Sequence, residues 1–436
     1  MTDATRLTGR RRAQAPRRFV VWSTVWLLGL GLASPVLADS AAEPTPSAVV
    51  APDAARVQMN EQVFDRVWSE VRTQYYDPRL HGLDWNAERR TYRPQALAAR
   101  DDRQLYRVID RMLDLLDDDH AAASPPAVAQ RQDALRERRP IMGVTLFPQD
   151  DGGYRIERVR SGSPAAEAGI KVGWKLPAEN GDWTPDSEVV AGQAVALRFV
   201  DPENQTHDVS VTPREMDPLP AFVADRSRPD VLVLRIEGFE AGLGRWMGEQ
   251  LAGLPPQTEV VLDLRANPGG LLKEADAVLS CFLPDRMAWA TRTNRSGRAA
   301  TLRVRSACGD LSEPASNPLA VLVDKSSRSA AELTPAALQE AGRAIVVGER
   351  TAGAVLISMD TPLPDGGRLT LSRADFVTAG GVRLEKRGVD PDVMVAEIAI
   401  AEASTDALMS DPVIASAVAA LRARNSADRA SRATVN

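Results

Sequence analysis

The sequence predicts an α/β protein whose sheet is mostly parallel, and three patterns lead to this prediction. Beyond about residue 229, short β-branched runs such as 231–236 and 260–264 alternate with helical spans, as in a parallel sheet covered by helices. Nearer the start, apolar residues recur at every fourth position from Val63 to Tyr75, which indicates a helix. Between these parts, a short helix from Ser163 to Gly169 lies among strand-like runs. We therefore expect helical, β-rich and α/β parts in that order.

The first 38 residues have the three parts of a secretory signal peptide. Six arginines and one acid come first, an apolar run from Phe19 to Leu32 follows, and Val36 and Ala38 occupy the −3 and −1 positions of a cleavage site. An uncleaved membrane anchor is the alternative, because the apolar run is nearly long enough to span a bilayer. Pro35 and the Val-x-Ala site favour cleavage. We expect a signal peptide over 1–38, a linker over 39–56, and a periplasmic mature protein without a membrane span.

The charge balance argues against a nucleic-acid ligand. The chain of 436 residues carries a formal net charge of −6. Without residues 1–38, 47 basic side chains remain beside 58 acidic ones, so the net charge becomes −11. Phosphate contacts need clustered Lys and Arg, which a protein this acidic does not favour.

Neither the cysteines nor the acidic run predict a metal site. Cys281 and Cys308 flank a predicted hairpin over 287–304, and in an oxidising compartment they can form one disulfide. Two free thiols are the alternative, and without matching histidines they do not bind zinc. The run Asp117 to Asp119 lacks the glycine and the ligand spacing of an EF-hand, so it predicts a solvated helix end. No cofactor is expected.

The segment from Val321 to Val355 carries the strongest functional signal. A buried strand ends at a small polar turn, 326–332, and a helix of about ten residues follows. A strand, a tight turn and a helix N-terminus together expose one hydroxyl beside free N–H groups, as a nucleophilic serine requires. Ser329 followed by Glu332 also fits a capping box, so a helix cap is the alternative role.

This layout resembles the catalytic segment of C-terminal processing (tail-specific) serine peptidases, whose nucleophile lies two residues before an Ala-Glu pair. Here that residue is Ser329, with Ser327 as the second choice. The resemblance extends over about residues 57–400. It implies an N-terminal helical domain, a PDZ-like domain with a carboxylate-binding turn, a crotonase-like catalytic core, and a C-terminal helix and tail. The helical domain corresponds to 57–135, and the PDZ-like domain to 140–215, with Met142, Gly143 and Val144 in its carboxylate-binding turn. The catalytic core corresponds to 225–400, and the C-terminal helix and tail to 401–436, with the helix over 408–421.

The lysine that usually serves as the base in this family is replaced by Ala354, in the sequence Thr351-Ala352-Gly353-Ala354. Tricorn-type and retinoid-binding-protein-like members share this pattern. In tricorn-type enzymes the base is a histidine of the helical domain, supported by a glutamate. Carried over, these are His120, at the end of the Leu-Asp-Asp-Asp-His motif, and Glu385. Lys325 and Lys386 are the alternative bases.

The loop Asn267-Pro268-Gly269-Gly270 follows a buried strand and resembles the family's oxyanion loop. The resemblance implies that the backbone N–H of Gly269 or Gly270 pairs with that of Ala330. The sequence thus predicts an exported serine endopeptidase that acts on polypeptides. A non-catalytic homologue that binds peptides or small hydrophobic ligands is the alternative, and the oligomeric state stays open.

Overall fold

The structure, a computed structural model, describes residues 52–133, 137–149, 152–178, 187, 189–218, 220–395 and 411–435. The predicted signal peptide and most of the predicted linker lie outside these residues. Within the described ranges, no helix is long and apolar enough to cross a membrane.

The N-terminal part is helical, as predicted, and its apolar stripe is its buried face. Val63, Val67, Val71 and Tyr75 are all inaccessible to solvent. The first helix begins before Val57 because the Asp53 side chain accepts the N–H of Arg56 and caps it. The elements are α1 (Ala54–Gln74), α2 (Trp85–Leu97), α3 (Asp102–Leu113), a 3₁₀ turn (Asp114–Leu116), β1 (Ala122–Ser124) and α4 (Pro126–Asp133).

The middle part is an antiparallel five-stranded sheet with one short helix. Its strands are β3 (Val144–Pro148), β4 (Tyr154–Val159), β5 (Lys175–Leu176), β6 (Val195–Val200) and β7 (Thr206–Val211), paired in that order. Two further strands, β2 (Arg139–Ile141) and β8 (Arg214–Met216), pair with each other.

The short helix of this part, α5 (Pro164–Glu167), forms as the sequence predicts. Ser163 caps it by accepting the N–H of Ala166, and Pro164 opens it. In the following segment, Trp174 is buried in the core of this sheet, where its ring stacks on that of His207 at 4.3 Å.

The C-terminal part contains a six-stranded sheet in the order β18-β15-β14-β11-β10-β9, parallel except for the edge strand β9. All residues of β10, β11 and β14 are buried because α6 to α8 cover one face and α9 the other. The strands are β9 (Phe222–Arg228), β10 (Val231–Ile236), β11 (Glu259–Asp263), β12 (Ala288–Asn294), β13 (Ala299–Arg303), β14 (Leu319–Val323), β15 (Ile345–Gly348), β16 (Ile357–Pro362), β17 (Arg368–Thr378) and β18 (Val393–Met394). The helices are α6 (Leu243–Leu251), α7 (Leu272–Ser280), α8 (Ala330–Glu340) and α9 (Pro412–Val435).

A second, antiparallel sheet joins the helical part to this core. In it β17 pairs with β1, β12 and β16, and β12 and β13 form the predicted hairpin. Ala122 of β1 lies opposite Thr370 of β17, so the chain just after His120 is fixed to the core.

The loops after β11 and β14 meet at one edge of the parallel sheet, because adjacent parallel strands end side by side. The N–H of Arg328 donates to the Asn267 carbonyl at 3.0 Å, and the Ser327 hydroxyl donates to the Leu264 carbonyl at 2.9 Å. This contact brings the predicted oxyanion loop against the predicted nucleophile turn.

The C-terminal helix is longer than the predicted 408–421. Residues 408–410 lie outside the described part, and α9 extends to Val435. Asp411 accepts the N–H of Val413 at the start of this helix and forms an ion pair of 2.8 Å with Arg265 of the core.

Cys281 and Cys308 form a disulfide, and both residues are buried. The bond encloses the β12–β13 hairpin, so it restricts a loop of 26 intervening residues in the unfolded chain.

Reduction of this disulfide is expected to lower the free energy of unfolding by about 3 to 4 kcal/mol, from the loop entropy that it removes from the unfolded state. Equilibrium urea unfolding with and without dithiothreitol measures the difference. A double Cys281→Ser/Cys308→Ser variant is the control, because its midpoint must not respond to the reductant. Equal midpoints for the wild type in both buffers would contradict the prediction.

Candidate active site

Ser329 occupies a strained turn at the N-terminus of α8. Its φ of 53° and ψ of −118° lie in a region that non-glycine residues rarely adopt. Its N–H donates to the Ala354 carbonyl at 2.8 Å, and its carbonyl accepts the N–H of Glu332 at 2.8 Å. The residue is half-buried. The turn thus holds a serine hydroxyl at the positive end of a helix.

Glu332 does more than the predicted capping box requires. Its side chain is fully buried and accepts hydrogen bonds from the N–H of Ser329, the hydroxyl of Thr351 and the N–H groups of Gly353 and Ala354. Burial raises the pKa of this carboxyl, and the four donors oppose the rise. Glu332 therefore ties the segment 351–354 to the nucleophile turn, a role that the capping pattern alone did not indicate.

Ser327, the second choice for the nucleophile, has a structural role. It is fully buried, and its hydroxyl donates to the Leu264 carbonyl while accepting the N–H of Asp324 at 3.0 Å. A hydroxyl held inside the protein in this way cannot reach a substrate, so Ser329 is the candidate nucleophile.

The glycine loop lies directly against the nucleophile turn. A Cβ on Gly269, whose φ is +96°, would lie 2.7 Å from the Ser329 Cβ and 3.1 Å from the Ala330 nitrogen. Asn267 fixes this loop, because its side chain accepts the Gly269 N–H at 2.7 Å and donates to the Ile236 carbonyl at 2.6 Å. The sequence analysis missed this role of Asn267, although the asparagine is part of the loop motif.

These contacts narrow the choice of oxyanion donor. The N–H of Gly269 is already bonded to Asn267. Among the hydrogen bonds of the described residues, none uses the N–H of Gly270 or of Ala330. The sequence leaves Gly269 and Gly270 open as partners of Ala330, and because Asn267 already engages the Gly269 N–H, Gly270 with Ala330 forms the candidate oxyanion hole.

His120 lies in the loop between the end of α3 and β1, and its side chain is 15% exposed. Its Nδ1 is buried and, within the described residues, has no hydrogen-bond partner. The Oδ1 atom of Asp118 lies 3.7 Å from this Nδ1.

Glu385 is buried near His120. Its Oε2 accepts the N–H of Val355 at 2.9 Å, next to Ala354, whose carbonyl accepts the N–H of Ser329. Burial raises the pKa of Glu385, while the Val355 N–H and the nearby His120 ring oppose the rise. Glu385 is thus attached to the segment that binds Ser329, and it interacts electrostatically with His120.

The alternative bases fit the site poorly. Burial lowers the pKa of Lys386, but Asp119 and Asp117, at 3.3 and 3.7 Å from its Nζ, outweigh this and raise the pKa above its ordinary value. Such a lysine keeps its proton at neutral pH. Lys325 is exposed, whereas a lysine that serves as a base loses its proton in an apolar pocket.

Comparison with known proteins identifies the class of enzyme. Residues 230–395 match the model of peptidase family S41, and residues 57–114 match that of the tricorn protease C1 domain. Residues 230–395 therefore form an S41 peptidase domain. The chain is a serine-type peptidase, as the resemblance predicts.

Relatives and solved structures support the same family. A carboxyl-terminal-processing protease of Picosynechococcus sp. is 29% identical to this S41 peptidase over 347 residues, which cover 76% of the chain and 82% of the relative. A photosystem II D1 C-terminal processing protease has a TM-score of 0.57 at 24% identity and covers 77% of this chain and 93% of its own. The tricorn protease has a TM-score of 0.50 at 18% identity, over 84% of this chain and 36% of its own. These two structures show the shared α/β fold.

Gly269→Ala is expected to slow the reaction of Ser329 with a fluorophosphonate by about 10²-fold, because the new Cβ must displace the Ser329 turn. Gly297→Ala is the matched control, since Gly297 also has a positive φ, +76°, but has no atom within 4 Å of the added Cβ. Labelling rates and urea midpoints of both variants separate the steric effect from backbone strain. Equal labelling of the two variants would contradict the close approach.

Proposed function

We propose that this chain is an exported serine endopeptidase that hydrolyses peptide bonds in unfolded or C-terminally exposed polypeptides. Ser329 is the nucleophile, His120 the general base and Glu385 its supporting carboxylate, and no cofactor takes part. The observation that carries this proposal is the strained Ser329 turn, packed against the glycine loop beside two unused N–H groups.

The reaction follows from the chemistry of these groups. His120 takes the Ser329 proton as Oγ attacks the carbonyl carbon of the substrate, and the N–H groups of Gly270 and Ala330 bind the resulting oxyanion. Collapse of this intermediate breaks the C–N bond, and the leaving amine receives the proton from His120. An acyl-enzyme remains. Water then attacks it, giving a proton to His120, and the second collapse returns that proton to Ser329.

A histidine base suits this chain better than a lysine. Ala354, at the family's lysine position, is buried and has no group that can accept a proton. Lys386 is paired with two carboxylates. Imidazole is the side chain that ordinarily changes its charge near neutral pH, so it can both accept and return a proton there.

The middle sheet is proposed to be a PDZ-like domain that binds the C-terminal end of the substrate. Its β3 is an edge strand, open to strand addition by a peptide. The turn before it is held by the carbonyls of Met142 and Gly143, which accept the N–H groups of Ala165 and Arg160. In the described residues, the N–H groups of Met142 and Gly143 make no backbone hydrogen bond, and we assign them, with Val144, to a substrate carboxylate.

The core is proposed to be crotonase-like, with its active site at the carboxyl ends of the parallel strands. Export to the periplasm rests on the signal sequence over residues 1–38. A catalytically inactive homologue that binds peptides or hydrophobic ligands is the second candidate function, and alanine at position 354 is the observation that favours it.

Digestion of casein tests the peptidase directly. The wild type is expected to cleave it, while Ser329→Ala and His120→Ala are each expected to lose about 10³-fold or more in kcat, because the nucleophile and its base act as one unit.

Ser326→Ala is the matched control, because it removes a hydroxyl from the same turn and is expected to keep its activity. Loss of activity in Ser329→Ala alone would disprove His120 as the base. A lack of cleavage by every form, including the wild type, would favour the binding function.

Peptide binding by the middle sheet is tested in the Ser329→Ala protein, which cannot cleave the probe. A fluorescein-labelled peptide with an apolar C-terminal residue is expected to bind about tenfold or more tightly than its C-terminally amidated form, since amidation removes the charge that the turn N–H groups would bind. Fluorescence anisotropy measures both affinities. Equal affinities would exclude carboxylate recognition.

A further inference from the structure

The acidic run at the end of the helical part is not uniformly solvated, as the sequence predicts it to be. The side chains of Asp117 and Asp119 are 90% and 51% exposed, but that of Asp118 is only 1% exposed. Asp117 takes a left-handed conformation with φ of 49° after the 3₁₀ turn, and the chain reverses there. The expectation of a solvated helix end is therefore wrong for Asp118.

Asp118 is attached to His120 at two points. Its Oδ1 accepts the backbone N–H of His120 at 2.9 Å and lies 3.7 Å from Nδ1 of the imidazole. The first contact fixes the carboxylate relative to the histidine backbone. The second is an ion-pair distance, longer than a hydrogen bond. With Nδ1 facing Asp118, Nε2 is the nitrogen left for Ser329.

The surroundings keep water away from this pair. Tyr75, at the end of α1, is fully buried, and burial together with Asp118 raises the pKa of its hydroxyl. Ser372 of β17 is also fully buried beside Asp118. Electrostatic interactions in a buried site, where the dielectric constant is low, are stronger than in water. A fixed carboxylate there has a large effect on a neighbouring charge. Tyr76 and Glu385 interact electrostatically with the pair, and Arg383 and Lys386 interact in turn with these two residues.

Four buried polar atoms of this region, within the described residues, have no hydrogen-bond partner. They belong to groups that act on one another electrostatically, so these groups lie close together. The atoms are His120 Nδ1, Asp118 Oδ2, Ser372 Oγ and Glu385 Oε1.

The pKa values of the two carboxyl groups near His120, those of Asp118 and Glu385, are shifted in opposite directions. Burial raises the pKa of Asp118, but its contacts with His120 and Ser372 outweigh burial and hold the pKa below the ordinary value. Burial dominates at Glu385, whose pKa is raised. Asp118 is thus the more firmly ionised of the two at neutral pH. Glu385 is also engaged by the Val355 N–H through Oε2.

We propose that Asp118 is the principal positioning residue for His120: it fixes the Nδ1–H tautomer and stabilises the imidazolium, while Glu385 mainly anchors the segment next to the nucleophile. The inference rests on the proposed role of His120 as the base. It reassigns the supporting carboxylate from Glu385, where the family resemblance placed it, to the middle residue of the aspartate run.

The tautomer of His120 gives a test that does not depend on activity. In ¹⁵N-histidine-labelled full-length protein, the neutral imidazole of His120, assigned with His120→Ala, is expected to carry its proton on Nδ1. Asp118→Asn is expected to shift the population toward the Nε2–H tautomer, whereas Asp117→Asn leaves it unchanged. Asp117→Asn is the matched control, since it makes the same change one residue away on an exposed side chain. An Nε2–H tautomer in the wild type would overturn the proposal without any variant.

Kinetic measurements then distinguish the role of Asp118 from that of Glu385. Asp118→Asn is expected to lower kcat for casein cleavage by about 10²- to 10⁴-fold with little change in KM, and to alter the acid limb of the pH–rate profile. Glu385→Gln is expected to lose less, and Asp117→Asn to stay within about twofold of the wild type.

Three outcomes test the proposed role of Asp118. Urea unfolding midpoints show whether each variant is folded. A folded Asp118→Asn variant that retains kcat, beside an inactive Glu385→Gln variant, would overturn the proposal. So would an unchanged tautomer in Asp118→Asn. If the wild type cleaves nothing, the proposed peptidase function fails, and the tautomer measurement still decides whether Asp118 orients His120.

Discussion

The buried carboxylate of Glu332 is the constraint on which the rest of the site depends. It sits in the first turn of α8 and holds both the Ser329 N–H and the segment that includes Gly353 and Ala354. A buried carboxylate is tolerated only when donors surround it, and four donors do so here. Because the same group binds the nucleophile turn and the neighbouring segment, neither can move without leaving a buried oxygen unpaired.

A second constraint is the antiparallel pairing of β1 with β17, which attaches the helical part to the core. His120 precedes β1, and Ala122 of β1 lies opposite Thr370 of β17, so this strand pair joins segments that are 248 positions apart in the sequence. The peptidase thus has its candidate nucleophile and its candidate base on different parts of the chain. The register of this strand pair fixes the chain next to His120 to the core, and packing on Leu369 and Leu371 stabilises it.

The sequence predicts the local parts of this arrangement well. Alternating β-branched runs identify the parallel strands, the four-residue apolar repeat identifies α1, and the strand–turn–helix pattern identifies the Ser329 turn. Each of these signals depends on neighbouring residues alone. The features that these signals did not indicate concern side chains whose environment comes from distant segments, such as Asn267, which bonds to the Ile236 carbonyl and the Gly269 N–H.

The aspartate run from Asp117 to Asp119 shows which features the local sequence determines and which depend on tertiary packing. By itself the sequence determined that three carboxylates end a helix and that a histidine follows, since helix termination depends on local backbone preferences. Only the tertiary structure decided which carboxylate is buried, because Tyr75 and β17 cover Asp118 and leave Asp117 and Asp119 in water. Burial, unlike helix termination, depends on which other parts of the chain pack against a residue.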